Sequence, residues 1–172
     1  KIINHCQTKN EKKVVGIGRK EIRTDIEWYR ADITDRKKIT EIFHAVKPTH
    51  ILHLASKGVT RDESTLKDLL LNNTVGTDNI LFAASSLHEK PNVIILGTAY
   101  EYESSNIPLK ENSTLQPKSP YAISKTASAY CIEKYKGKLI AHYLRLFNIY
   151  GPGEPSDRLI PYIVDCAIKG KE

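Results

Sequence analysis

The stretch "SPYAISKTASAYCIEKY", residues 119–135, places a tyrosine four positions before a lysine twice, as Tyr121 with Lys125 and as Tyr130 with Lys134. On a helix, side chains at i and i+4 share a face. A phenol with an ordinary pKa of about 10 is a poor acid or base at neutral pH. An ammonium held beside it favours the phenolate and brings that pKa toward a working range. The spacing alone does not separate the two pairs, since a chain with 9 tyrosines and 26 lysines and arginines forms such pairs by chance. Context does separate them. Ser119 and Pro120 read as an N-cap followed by proline at the first helical position, so Tyr121 opens its helix. Tyr130 lies roughly two to three turns deeper, beside Cys131 and Ile132, and reads as packing. In "VIILGTAYEYE" a strand ends at Leu96 and exposes Thr98 at its carboxyl edge. Ligands of open α/β sheets bind outside that edge. A hydroxyl there can hydrogen-bond the substrate oxygen whose proton the tyrosine takes or gives. Thr98, Tyr121 and Lys125 are therefore the candidate catalytic group.

The elements that must position them follow from the hydrophobic rhythm. Val14 to Ile17 reads as a buried strand, and "EWYRADI" as a short strand ending at Asp32. "DRKKITEIFHAV" carries Ile39, Ile42, Phe43 and Val46 at the spacing of an amphipathic helix, stopped by Pro48. "THILHLAS" supplies the next strand, a long helix runs from about Ser64 to His88, and "NVIILG" and "KLIAHYLRLF" are further strands. Strands alternating with helices imply right-handed crossovers and a parallel sheet with helices on both faces, an α/β fold.

Composition narrows the class. With 172 residues, 40% of them hydrophobic, the chain can bury one ordinary core. The net charge of +6 is scattered, without a basic stripe interleaved with aromatics, so a nucleic-acid partner is not expected, whereas a diphosphate-bearing ligand suits it. Cys6, Cys131 and Cys166 are far apart and show no paired spacing, which points to a reducing, cytoplasmic setting. No stretch approaches a membrane span and no secretory pattern stands out, so no membrane partner is expected. His44, His50 and His53 are close in sequence, but no metal-binding spacing accompanies them and no metal is expected. The absence of methionine suggests a processed chain or part of a longer product.

Five stretches in order resemble one family, the extended short-chain dehydrogenases/reductases, the group of nucleotide-sugar epimerases, dehydratases and ketoreductases. They are "RADITD", "ILHLAS", "NNTVGTDNIL", "LKENSTLQPKSPYAISK" and "LRLFNIYGPGEPSDRLIP". The resemblance implies a Rossmann-like doubly wound parallel sheet that binds NAD or NADP. It implies that Tyr121 is the general acid/base, that Lys125 lowers its pKa and binds the nicotinamide ribose, and that Thr98 orients the substrate oxygen. It places Asp32 and Ile33 beside the adenine and Leu54, Ala55 and Ser56 under the cofactor, with Asn73 from the helix signature as a further cofactor residue. Asn148 would contact the substrate diphosphate, and Leu159 would approach the nucleotide base. The helices around residues 64–88 and 120–135 pair between subunits in similar proteins, so a homodimer is expected.

The sequence departs from the family pattern in three places. Similar 4,6-dehydratases carry an acidic pair directly after the threonine, where this chain has Ala99 and Tyr100, with Glu101 one place late. A one-residue shift on a strand turns a side chain to the other face, so dehydration is disfavoured. A C4 epimerase and a 4-ketoreductase acting on a nucleotide-linked hexose both remain open, as does a non-catalytic dinucleotide-sensing or partner-binding relative. "GTAYEYE" is reminiscent of enzymes making deoxyhexoses for surface polysaccharides. "VVGIGRK" ends in Arg19 rather than an acid, which favours NADP over NAD. The family's first strand and glycine-rich loop are not recognisable, "KIINHCQTKN" reading as the end of the helix after that loop. In the order 3-2-1-4-5-6, loss of strand one leaves two edges in mid-sheet. Residues 1–172 thus read as an incomplete dinucleotide-binding domain, with residues 148–172 leading toward a substrate-binding domain.

Overall fold

The computed structural model describes residues 13–20, 26–58 and 64–170. The segment "KIINHCQTKN", with its expected helix end and Cys6, lies outside the described residues. Five parallel strands form two sheets. Strand β1 (Val15–Gly18) pairs with β2 (Glu27–Arg30), and β3 (His50–His53) pairs with β4 (Asn92–Thr98), which pairs with β5 (Ile140–Leu146). Among the described residues no strand bridges β1 and β3.

Helix α1 (Arg36–Val46) crosses between the sheets. Asp35 caps it by accepting the Lys38 amide at 2.9 Å, and Lys47 ends it in a left-handed conformation just before Pro48. Its apolar stripe, Ile39, Ile42 and Phe43, is buried. Leu81, Ala83 and Ala84 of α3 (Gly76–Ser86), together with Val93 and Ile95 of β4, complete the same core. Ile17 of β1 and Tyr29 of β2 pack against this cluster, so one core serves both sheets. Each large aliphatic side chain sealed there contributes about 1.5–3 kcal/mol.

The expected long helix spans residues 66–86 and is not uniform. A capping box joins Thr65 and Asp68 at the start of α2 (Leu66–Leu69), and a π-helical stretch (Leu70–Val75) then leads into α3. The Gly76 amide reaches back five residues to the Leu71 carbonyl. Such bulges put one extra residue into a turn and often mark functional sites. Gly76 is needed here because a Cβ would come within 2.5 Å of Ile33 Cδ1.

Helix α4 (Pro120–Glu133) begins as expected, with Ser119 Oγ accepting from the Ala122 amide at 3.1 Å. A further helix, α5 (Leu159–Ile168), was not anticipated; none of its residues is buried. Two strand ends also move. β2 stops at Arg30 rather than Asp32, because the Asp32 carboxylate turns the chain by accepting from the Thr34 amide and hydroxyl at 2.9 and 2.8 Å. β4 runs on past Leu96 because β5 pairs with it as far as Thr98 and Leu146. Among the described residues, no helix is long and apolar enough to cross a membrane.

Candidate active site

The carboxyl ends of β3, β4 and β5 and the start of α4 meet at one edge. Thr98 closes β4, Tyr121 and Lys125 lie one turn apart on α4, and the loop after β3 passes the Tyr121 ring. Gly58 in that loop has φ +85, and a Cβ there would come within 2.7 Å of Leu69 and 3.2 Å of Tyr121, so glycine lets the loop lie close. Tyr121 is half-buried and hydrogen-bonds with Ser56. Lys125 is only 4% exposed, and burial lowers its pKa from 10.5 to about 8, with the Glu101 charge acting the other way.

Two expectations about this group are corrected. Thr98 is buried rather than exposed, being the last rung of the β4–β5 ladder, and its hydroxyl accepts from the Tyr100 amide at 3.4 Å. The Tyr121 pKa is raised, not lowered. Burial is the largest cause, Glu101 and Tyr100 add to it, and only the Ser56 hydrogen bond opposes it. Tyr121 is therefore held as a neutral phenol.

Tyr130 does not pack as expected. It is 66% exposed, and its spacing partner Lys134 instead holds Asp78 at 3.1 Å. Asp78 also takes Arg36 at 2.9 Å and the Tyr135 hydroxyl at 2.9 Å. The second tyrosine–lysine pair is thus divided between solvent and a structural cluster.

Asn73 is sealed into the protein. Its Oδ1 accepts from the Lys57 amide at 2.8 Å and the Ser56 hydroxyl at 3.3 Å. Its Nδ2 donates to the Lys57 carbonyl at 3.0 Å and to Ser124 Oγ at 2.9 Å. Its own carbonyl, in the π-helical stretch, accepts from Thr77 and Ser128 hydroxyls. With no donor or acceptor left over, Asn73 ties the loop after β3 to α4.

His53, at the end of β3, is buried against the Thr77 hydroxyl at 3.1 Å. Burial first, and the nearby Lys125 charge second, lower its pKa to about 4, so it stays neutral. His44 and His50 have partners of their own in Ser86 and Thr49. No group of three or more His, Cys, Asp or Glu among the described residues could hold a metal ion.

Glu101 is the residue whose place the sequence did not reveal. It is completely buried in the short 3-10 turn (Ala99–Glu101) that follows β4. Its Oε1 accepts from the Thr98 amide at 2.8 Å and the Tyr143 hydroxyl at 2.9 Å, and its Oε2 pairs with Arg145 Nε at 2.9 Å. The signal that could have found it is the coincidence of Gly97 with Tyr143-x-Arg145 on the neighbouring strand. A Cβ at Gly97 would stand 2.2 Å from the Tyr143 ring and 2.6 Å from the Glu101 carboxylate.

The donors present fit a dinucleotide. Leu54, Ala55 and Ser56 are exposed where β3 runs out, and Asp32 and Ile33 are half-buried after β2. Arg19, Lys20 and Arg30 line a cleft with Trp28 at the ends of β1 and β2, three cations suited to a phosphate. The glycines of "GIGR" do not cradle a ligand. Gly16 and Gly18 leave room for the Trp28 indole, which a Cβ would strike at 2.1 and 2.8 Å. Asn148 lies exposed two residues beyond the rung of Thr98 and Leu146, and Leu159 is 70% exposed at the start of α5.

Comparison with known proteins identifies the family and the fold. The chain is 28% identical over 141 residues to GDP-6-deoxy-D-talose 4-dehydrogenase of Aggregatibacter actinomycetemcomitans, covering 80% of this chain and 47% of that protein. It is 29% identical over 159 residues to UDP-glucose 4-epimerase of Mycoplasma genitalium, covering 84% and 46%. The chain spans about half the length of the curated relatives it matches. The fold is also that of the Bordetella bronchiseptica enzyme WbmG, solved with NAD and UDP. There the TM-score is 0.82 at 22% identity, over 99% of this chain and 56% of the other. The sequence model of the NAD dependent epimerase/dehydratase family matches residues 2–172. The chain belongs to the NAD-dependent epimerase/dehydratase family.

Proposed function

We propose that the protein moves a hydride at C4 of a nucleotide-linked hexose, as a 4-ketoreductase or a C4 epimerase. The observation that carries this reading is the buried Lys125 beside Tyr121 at the edge that Thr98 closes. A bound nicotinamide supplies the hydride acceptor or donor, with the ribose near Lys125 and the Leu54–Ser56 loop beneath. Tyr121 takes the proton from the C4 hydroxyl when C4 is oxidised, and returns a proton to the keto oxygen when C4 is reduced. Thr98 hydrogen-bonds that same oxygen and fixes its distance from the phenol. Lys125, as an ammonium, favours the phenolate form of Tyr121 once the pair closes on substrate. A phenol held neutral before ligands arrive is ready to donate, which suits reduction of a 4-keto sugar.

Dehydration is disfavoured on two grounds. Ala99 and Tyr100 offer no carboxylate, and Glu101 is committed to Arg145, Tyr143 and the Thr98 amide. The cations at Arg19, Lys20 and Arg30, with no acid at the end of β1, favour NADP. Asn148 binds the substrate diphosphate and Leu159 borders the base in this reading, with residues 148–172 leading into the substrate-binding part. The helical stretch of residues 66–86 and α4 pair with those of a second copy, where Leu71, Val75, Phe82, Ile123 and Tyr130 are exposed.

The test is incubation of the intact protein with nucleotide-linked hexoses and their 4-keto forms, with NADPH or NADH. Oxidation of NADPH coupled to loss of the 4-keto group is the expected result, and Arg19→Ala raises the KM for NADPH more than that for NADH. C4 inversion without net use of added cofactor would identify the epimerase instead. Release of water across C5 and C6 would refute the reading.

A further inference from the structure

Glu101 is a carboxylate with no access to solvent in the turn directly behind Thr98. Removing such a charge from water is costly unless it is paired and hydrogen-bonded, and here it is both. Arg145 approaches Oε2 at 2.9 Å, and the Thr98 amide and the Tyr143 hydroxyl reach Oε1 at 2.8 and 2.9 Å. The Tyr143 hydroxyl is also 2.6 Å from the Lys125 carbonyl, so its one proton is shared between Glu101 and the backbone of the active-site helix. The carboxylate is thus joined to β4 through Thr98, to β5 through Tyr143 and Arg145, and to α4 through Lys125. Gly97 keeps open the space that this requires.

We propose that Glu101 is the positioning residue of this site. Clamped by Arg145, it fixes Thr98 and Lys125 relative to each other through the Thr98 amide and the Tyr143 hydroxyl. The inference rests on the reading of Thr98, Tyr121 and Lys125 as the reacting group. The charged and titratable groups facing this cluster are His53 from β3, Tyr100 from the turn, Tyr102 just after it, Tyr121 and Lys125 on α4, and Tyr143 and Arg145 from β5. Of these, Glu101 is the buried anion that acts on both partners, holding the proton more firmly on Tyr121 and on Lys125.

Glu101→Gln keeps the shape and removes the charge. In the intact protein, the phenolate absorbance that disappears with Tyr121→Phe develops at lower pH in the Glu101→Gln background than in the wild type. Both limbs of the pH profile of kcat move the same way, and kcat falls about ten- to a hundredfold as the Arg145 clamp on the anchor of Thr98 and Lys125 is lost. Tyr143→Phe leaves the ion pair with Arg145 intact and removes the hydroxyl that joins Glu101 to the Lys125 carbonyl. It lowers kcat with unchanged cofactor affinity, and it carries the test should Glu101→Gln fold poorly. An unmoved phenolate titration in Glu101→Gln, or an unchanged kcat in Tyr143→Phe, overturns the proposal. The phenolate titration needs no substrate. A shift in it alongside a wild type that turns over no nucleotide sugar would sink the proposed reaction while supporting the role of Glu101.

Discussion

Lys125 is where function and stability oppose each other most directly. Its ammonium is buried, and that burial brings its pKa from 10.5 down to about 8. A lysine whose pKa is lower in the folded state than in the unfolded chain opposes folding whenever both states are protonated. The penalty is complete below about pH 8 and disappears as the pH rises toward 10.5, where the unfolded chain binds more protons than the folded one. At about 1.4 kcal/mol per pH unit, the interval amounts to roughly 3 kcal/mol. Lys125→Met has a similar length and no charge, and Glu101 keeps Arg145 and Tyr143 as partners in the variant. The variant is therefore expected to be more stable than the wild type at pH 7 by up to roughly 3 kcal/mol, while losing turnover. Urea denaturation of both cofactor-free proteins at pH 7, 8.5 and 10 measures this, with the advantage shrinking at each step. A variant less stable than the wild type at pH 7, or an advantage that does not change with pH, would refute the reasoning.

Three further outcomes follow from the same network. His53 stays neutral because burial lowers its pKa from 6.5 to about 4, so it favours folding above pH 6.5 and loses that contribution as the pH falls toward 4. The loss reaches roughly 3 kcal/mol, and wild-type urea midpoints should fall more steeply between pH 6.5 and 4 than those of His53→Gln. Gly97→Ala pushes a methyl group against Tyr143 and Glu101 and should destabilise by about 1–3 kcal/mol, read as a lower Tm and a lower kcat. Asn73→Ala leaves Ser124 and the Lys57 backbone without their buried partner; a loss of roughly 2 kcal/mol or more in urea and a weaker affinity for cofactor are expected.

What was legible in the sequence were the features carried by local periodicity and capping. The Ile39, Ile42, Phe43 stripe gave α1, and Ser119-Pro120 gave the start of α4, because both signals lie within one or two turns of chain. The place of Tyr121 and Lys125 at a strand edge followed from those boundaries. The features that escaped depend on neighbours distant in the chain. Glu101 looked like an acid one position out of place, and only β5 alongside β4 turns it into the partner of Arg145. The partners of Asn73 in the loop at Lys57 and the helix at Ser124 are likewise distant from it in the chain. Tyr121 was expected to be acidified by a lysine one turn away, but desolvation outweighs that spacing in the folded chain. Tyr130 was expected to pack because its sequence neighbours are apolar, but its own direction on α4 is outward.

The central claim is that one tyrosine of the two tyrosine–lysine pairs carries out the proton transfer. The most direct measurement is turnover of 4-keto nucleotide sugars by intact wild type, Tyr121→Phe and Tyr130→Phe, each first titrated with NADPH and NADH. The account predicts that all three bind cofactor, that Tyr121→Phe loses turnover and that Tyr130→Phe retains it. Equal turnover by Tyr121→Phe, or a wild type that binds neither nucleotide, would contradict it and favour a non-catalytic member of the fold.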